Sequence, residues 1–195
     1  MTKKNVPLIL ASSSPRRREL LQTLGLSFTV ITSDVDETTA EHLSASEVVE
    51  ELSLRKAKEV ASRLTEGVVL GSDTVVVLDG QILGKPVDEM DAYRMLSMLQ
   101  GQEHTVYSGV ALIDVETGRT EVSHSLTHVR IRALTEQEIK SYIATGEPMD
   151  KAGSYAIQGI GATIVEGIHG DYFTVVGLPL GLTSTLLTRF GMPIL

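Results

Sequence analysis

The chain has 195 residues, enough for one large domain or two small lobes around a sizeable core. Hydrophobic residues make up 42% and aromatics 4%, so the core must be aliphatic, and a formal net charge of −8 argues against a protein that coats nucleic acid. The absence of cysteine removes disulfides, thiol nucleophiles and cysteine metal sites. Met1 to Pro7 leads into an apolar run too short for a signal peptide, and no segment reaches the length of a membrane span, so a cytoplasmic protein without a membrane partner is expected.

The apolar run from Val6 to Leu10 reads as a strand buried on both faces. Ser14 followed by Pro15 is a helix start, with an N-cap serine and a proline at the first helical position. That helix carries Leu20, Leu21 and Leu24 inward and stops at Gly25. Arg16, Arg17 and Arg18 fall in its first turn, the end of the macrodipole that repels cations. Two readings stand: an anion, for which phosphate has the right shape, or three solvated arginines at a cost of roughly a few tenths of a kcal/mol. On an acidic chain, such a basic cluster points to a pocket for a small anion.

Phe28 to Ile31 reads as a second strand, followed by the acidic loop Ser33 to Thr38. Ser44 with Glu47 forms a capping box that opens a helix to about Leu64. Lys56 lies on the apolar face of this helix, four residues from both Leu52 and Val60, where it either snorkels outward or meets an internal anion. Val68 to Leu78 is the most apolar stretch, interrupted by Gly71-Ser72-Asp73-Thr74. A carboxylate there is expensive unless cations, a metal or several donors meet it; the other reading is a bulge that turns Asp73 to solvent.

Asp79-Gly80 is a two-residue hairpin signal, returning through Gln81 to Leu83 and then Gly84-Lys85-Pro86. Asp88 caps a helix that ends at Gly101, and strands follow over His104–Ile113 and Val122–Arg132. Thr135 and Glu138 repeat the capping box, and that helix ends at Gly146. Glu147 to Gly161 is glycine-rich without periodicity and reads as a loop or short helix lining a site. Ala162–Val165 and Tyr172–Val176 are expected to form a hairpin about Gly170, and Leu178-Pro179-Leu180 to begin a last helix through Leu187. Strands joined by hairpins and mixed with helices predict an α/β fold with a mixed β-sheet and flanking helices, in one domain over 1–195.

No phosphate-binding P-loop, dinucleotide fingerprint or nucleophile elbow occurs. His124 and His128 have a metal-like spacing only for a helix, and their surroundings read as strand.

Taken together and in order, the blocks LASSSPRRRELL, VDE, KAKEVA, GSDTVVVLDG, GKP, EPMDKAGSYAIQG and VVGLPL make the chain resemble the Maf family of nucleoside triphosphate pyrophosphatases, first named for an effect on septum formation. The resemblance implies an elongated, two-lobed α/β body with a central cleft. It also implies hydrolysis of a nucleoside triphosphate to the monophosphate and pyrophosphate with a divalent metal cation, Mg²⁺ or Mn²⁺, and a homodimer as a family expectation. The branch acting on dTTP and UTP carries Ser-Pro-Arg-Arg, Asp-Thr and Ile-Gln-Gly. Here these are Ser14 to Arg17, Asp73-Thr74 and Ile157 to Gly159, with modified pyrimidine nucleotides left open as further substrates.

Carried over by position, the resemblance makes Asp73 the catalytic proton acceptor, with Glu37 and Asp73 as metal ligands. Ser12, Arg17, Lys56 and Lys85 would bind the phosphates, and Arg16, Thr74 and Gln158 would read the base. A firmly metal-bound carboxylate is a poor base, so the two roles of Asp73 compete. The alternative is a non-catalytic nucleotide-binding regulator of cell division, against which Asp73 argues: a polyanion site gains nothing from a buried carboxylate unless metal or catalysis needs it.

Overall fold

A computed structural model describes residues 6–195; most of the Met1–Pro7 stretch read above lies outside them. The described residues form six α-helices and one seven-stranded mixed sheet. In chain order the elements are β1 (Leu8–Ala11), α1 (Pro15–Thr23), β2 (Phe28–Val30), α2 (Ala45–Ala61), β3 (Val68–Leu78), β4 (Gln81–Leu83) and α3 (Glu89–Leu99). There follow β5 (Glu103–Asp114), β6 (Thr120–Ile131), α4 (Glu136–Ala144), three short 3-10 turns between Glu147 and Thr163, β7 (Val165–Gly170), α5 (Tyr172–Val176) and α6 (Leu180–Arg189). The sheet order is β2-β1-β3-β5-β6-β7, with β4 paired to β3.

Helix starts follow the capping chemistry. The Ser14 hydroxyl accepts from the Arg17 N–H, and Pro15 opens α1. Both capping boxes form, Ser44 with Glu47 and Thr135 with Glu138, and Asp88 accepts from the Asp91 N–H. At Asp79-Gly80 both residues take positive φ, 48° and 80°, which is what a two-residue hairpin between right-twisted strands requires.

Contacts divide the chain into two compact units. The first comprises the chain up to Asp73 with Ser108–Ser125 and Gly177–Leu195. In it β1 pairs in parallel with β2 and with β3, Leu10 opposite Val30 on one side and Leu70 on the other. Ile9, Ala11, Ala57, Val60, Val69, Ala111 and Ile113 form an aliphatic core between α2 and the sheet. The second unit comprises Thr74–Tyr107 and Leu126–Val176. Its core gathers Val76, Leu83, Leu96, Leu99, Val129, Ile131, Ile143 and Tyr155 among others.

β3 runs through the polar Gly71-Ser72-Asp73-Thr74 without a break, as one strand from Val68 to Leu78. One expectation is corrected. The hairpin about Gly170 does not form: β7 pairs antiparallel with β6, and Tyr172–Val176 is a helix. The cause is Asp171, whose carboxylate accepts from the Phe173 and Thr174 N–H groups and from the Thr174 hydroxyl. That cap winds an aromatic and β-branched run that propensity alone assigns to a strand.

Candidate active site

β1 ends at Ala11, opposite Gly71, so the turn carrying Ser12 and the first residues of α1 leave the sheet beside the segment of β3 that holds Asp73. Ligand sites of parallel sheets favour this carboxyl end of the strands. Ser12 is buried and its hydroxyl accepts from the Ser14 N–H at 3.1 Å, shaping the turn into the helix. The three arginines are not equivalent. Arg18 is exposed, whereas Arg17 is half-buried and donates from Nε to the Gly177 carbonyl at 2.8 Å. Ser72 donates to the same carbonyl at 3.1 Å and to that of Gly109 at 2.7 Å. The segment around Gly177 thereby links Arg17 to the residue beside Asp73. Burial pulls the Arg17 guanidinium below its ordinary pKa, Asp73 acts in the opposite sense, and Arg16 adds to the lowering.

Asp73 is 7% exposed and Lys56 8%, so both are inside the fold; neither the bulge nor the snorkelling reading holds. Lys56 Nζ stands 2.6 Å from Asp73 Oδ1 and 2.7 Å from Glu37 Oε1. Glu37 comes from the acidic loop and remains half-exposed. One ammonium therefore gathers a buried and a solvent-facing carboxylate.

α2 can deliver Lys56 there because it lies unusually close to the sheet. A Cβ on Gly71 would overlap the Ser53 carbonyl oxygen, and one on Gly109 the Val49 carbonyl oxygen. In the sequence Gly71 stood out only as part of a polar interruption and Gly109 not at all, although a glycine inside a strand is the ordinary mark of close backbone approach.

The remaining residues named from the sequence lie in the second unit. Thr74 follows Asp73 on β3 and is half-buried. Lys85 is exposed in the loop after β4, a loop held by the Gly153 N–H on the Gly84 carbonyl at 3.0 Å. Gln158 is half-buried immediately before the last 3-10 turn. Two further residues there were missed. Glu147 accepts from the Ile160 and Gly161 N–H groups and from the Tyr142 hydroxyl, and Tyr142 accepts from the Ala156 N–H. His124 pairs with Glu50 at 2.7 Å and His128 with Thr105 at 3.2 Å, so the two histidines serve different partners.

No group of three or more metal-ligating side chains occurs among the described residues. Two hard carboxylates converging on one cationic point nevertheless suit a Mg²⁺-type ion, which takes one or two protein carboxylates and completes its shell with water and substrate phosphate. The arrangement sets cations beside a buried carboxylate.

A family model described as "Maf-like protein" matches residues 7–190. A "dTTP/UTP pyrophosphatase" of Desulforamulus reducens is 50% identical over 188 residues, covering 96% of this chain and 98% of that protein. One of Moorella thermoacetica is 53% identical over 187 residues, covering 96% of each. A solved structure, of the Staphylococcus aureus Ham1 protein, aligns with a TM-score of 0.48 and 16% identity over 64% of this chain and 71% of that one. With the ordered sequence blocks on a mixed α/β sheet and a family match running almost end to end, the chain belongs to the Maf family.

Proposed function

We propose that the protein hydrolyses dTTP and UTP to the monophosphate and pyrophosphate. The observation that carries this is the buried Asp73–Lys56 pair with Glu37 on the same ammonium, beside the arginine-bearing N-terminus of α1. A site that merely held a nucleotide would repel it with such a carboxylate, so the regulator reading loses to the catalytic one.

Three tasks follow from the chemistry: the triphosphate charge must be met, a water activated and pyrophosphate held as it leaves. Ser12, Arg17, Lys56 and Lys85 would meet the phosphate oxygens. Lys56 holds Asp73 through Oδ1, and the second carboxylate oxygen takes the proton of the attacking water. Glu37 and Asp73 would hold a Mg²⁺ or Mn²⁺ ion, which supplies positive charge against the phosphates. Arg16, Thr74 and Gln158 pair with the carbonyl and N–H edge of uracil or thymine. Cytosine is rejected because donors then face donors. The cysteine-free chain suits a cytoplasmic setting, and no helix among the described residues is long and apolar enough to cross a membrane.

A panel of nucleoside triphosphates with Mg²⁺ or Mn²⁺, scored for pyrophosphate, tests the reading. Fastest release from dTTP and UTP is expected; a purine preference, or no metal dependence, would overturn it.

A further inference from the structure

Gln158 lies in a segment with no ladder of its own. Between Glu147 and Thr163 the chain makes three short 3-10 turns, and Gly146, Gly153 and Gly159 take φ of 75°, 69° and 62°. Something other than regular secondary structure must fix it, because buried backbone N–H groups need partners. Two side chains supply them. Glu147 Oε1 accepts from the Gly161 N–H at 2.8 Å and from the Tyr142 hydroxyl at 2.8 Å, and Oε2 accepts from the Ile160 N–H at 3.0 Å. The Tyr142 hydroxyl in turn accepts from the Ala156 N–H at 3.1 Å. The backbone is thus held two residues before Gln158 and two and three residues after it.

The packing leaves no slack. A Cβ on Gly159 would overlap Glu147 Oε2, so glycine there lets the carboxylate reach the backbone. Tyr142 is buried on α4, and Lys151 Nζ donates to the Glu147 carbonyl at 2.6 Å, tying down the backbone of Glu147 itself. A carboxylate accepting three such bonds makes stronger contacts than a neutral acceptor would.

We infer that Glu147 and Tyr142 are positioning residues for base selection: acting through the backbone of Ala156, Ile160 and Gly161, they set where the Gln158 amide stands. This rests on Gln158 reading the base. A hydrogen-bonding reader discriminates only while it is held to within about half an ångström, so loosening the clamp erodes selectivity before it erodes phosphate chemistry.

The test compares kcat/KM for UTP and CTP in the wild type, Gln158→Ala, Glu147→Gln and Tyr142→Phe. Each variant is expected to compress the UTP-to-CTP ratio by about tenfold or more, and in Glu147→Gln and Tyr142→Phe kcat on UTP should change much less than the ratio. A clamp that is only structural would lower thermal stability and both activities together, leaving the ratio intact, and would overturn the inference. If Gln158→Ala leaves the ratio unchanged, the base-reading role fails and the inference with it. If Gln158→Ala compresses the ratio and the clamp variants do not, the inference alone fails. Tyr142→Phe keeps the ring in the core and carries the test by itself where Glu147→Gln does not fold.

Discussion

Lys56 could be read in the sequence as a cation on an apolar helix face, and Asp73 as a carboxylate in an apolar strand. That they answer one another could not be read, because periodicity gives the face of each element and not the element it meets. Each ion alone would be costly inside the fold; together they remove most of that cost. Lys56→Met therefore takes from the buried Asp73 carboxylate the ammonium that bonds it, leaving it the Arg17 charge, while Glu37, half-exposed, simply returns to solvent. We expect a loss of about 3–5 kcal/mol in the metal-free protein, the usual cost of breaking a buried pair from one side. Thermal unfolding with and without Mn²⁺ checks it: the cation should raise the Tm of the variant more than that of the wild type. Equal shifts would mean that the carboxylates do not hold the ion.

At the scale of elements, α2 and β3 meet through missing side chains. Gly71→Ala places a methyl group against the Ser53 carbonyl, a backbone atom that cannot swing aside, so the helix must lift and carry Lys56 with it. Overpacking of this kind costs about 1–3 kcal/mol. Gly181→Ala in α6 meets no atom within 4 Å and should be neutral or slightly stabilising. Denaturant unfolding of the two variants measures the contrast, and equal stability would show that α2 has room to spare. Helix starts were legible because capping is local chemistry: Ser14, Ser44, Asp88 and Thr135 each cap as their residue type suggests. Tyr172–Val176 was misread for the same kind of reason, since the Asp171 side chain outweighs the strand propensity of the five residues after it.

For the molecule as a whole, the mixed α/β sheet followed from the alternation of capped helices and apolar runs. For the glycine-rich segment from Glu147 the short turns were legible and the anchoring was not, because its bonds run from one acid and one phenol to distant backbone groups. Part of the acid sensitivity should come from a group outside the proposed chemistry. His104 is buried, with Nε2 2.7 Å from the Tyr155 hydroxyl and the two rings edge-to-face at 5.2 Å. Burial pulls its pKa from 6.5 down to about 4. The unfolded chain therefore takes up a proton that the folded chain refuses. The stabilisation is complete above pH 6.5 and drains away as pH falls towards 4, reaching about 3 kcal/mol. A Tm profile across that window should fall less steeply for His104→Gln, whose amide does not titrate; parallel profiles would place the acid sensitivity elsewhere.

Two points define the proposed hydrolysis: which bond breaks and which residue takes the proton. Phosphorus NMR of UTP incubated with Mg²⁺ and the purified protein, beside Asp73→Asn, addresses both. The variant should fold, because Lys56 keeps Glu37 as a partner, and should lose about 10²–10⁴ of kcat with its base. The wild type is predicted to give resonances of the monophosphate and pyrophosphate alone. Orthophosphate with the nucleoside diphosphate, or a variant as fast as the wild type, would contradict the account.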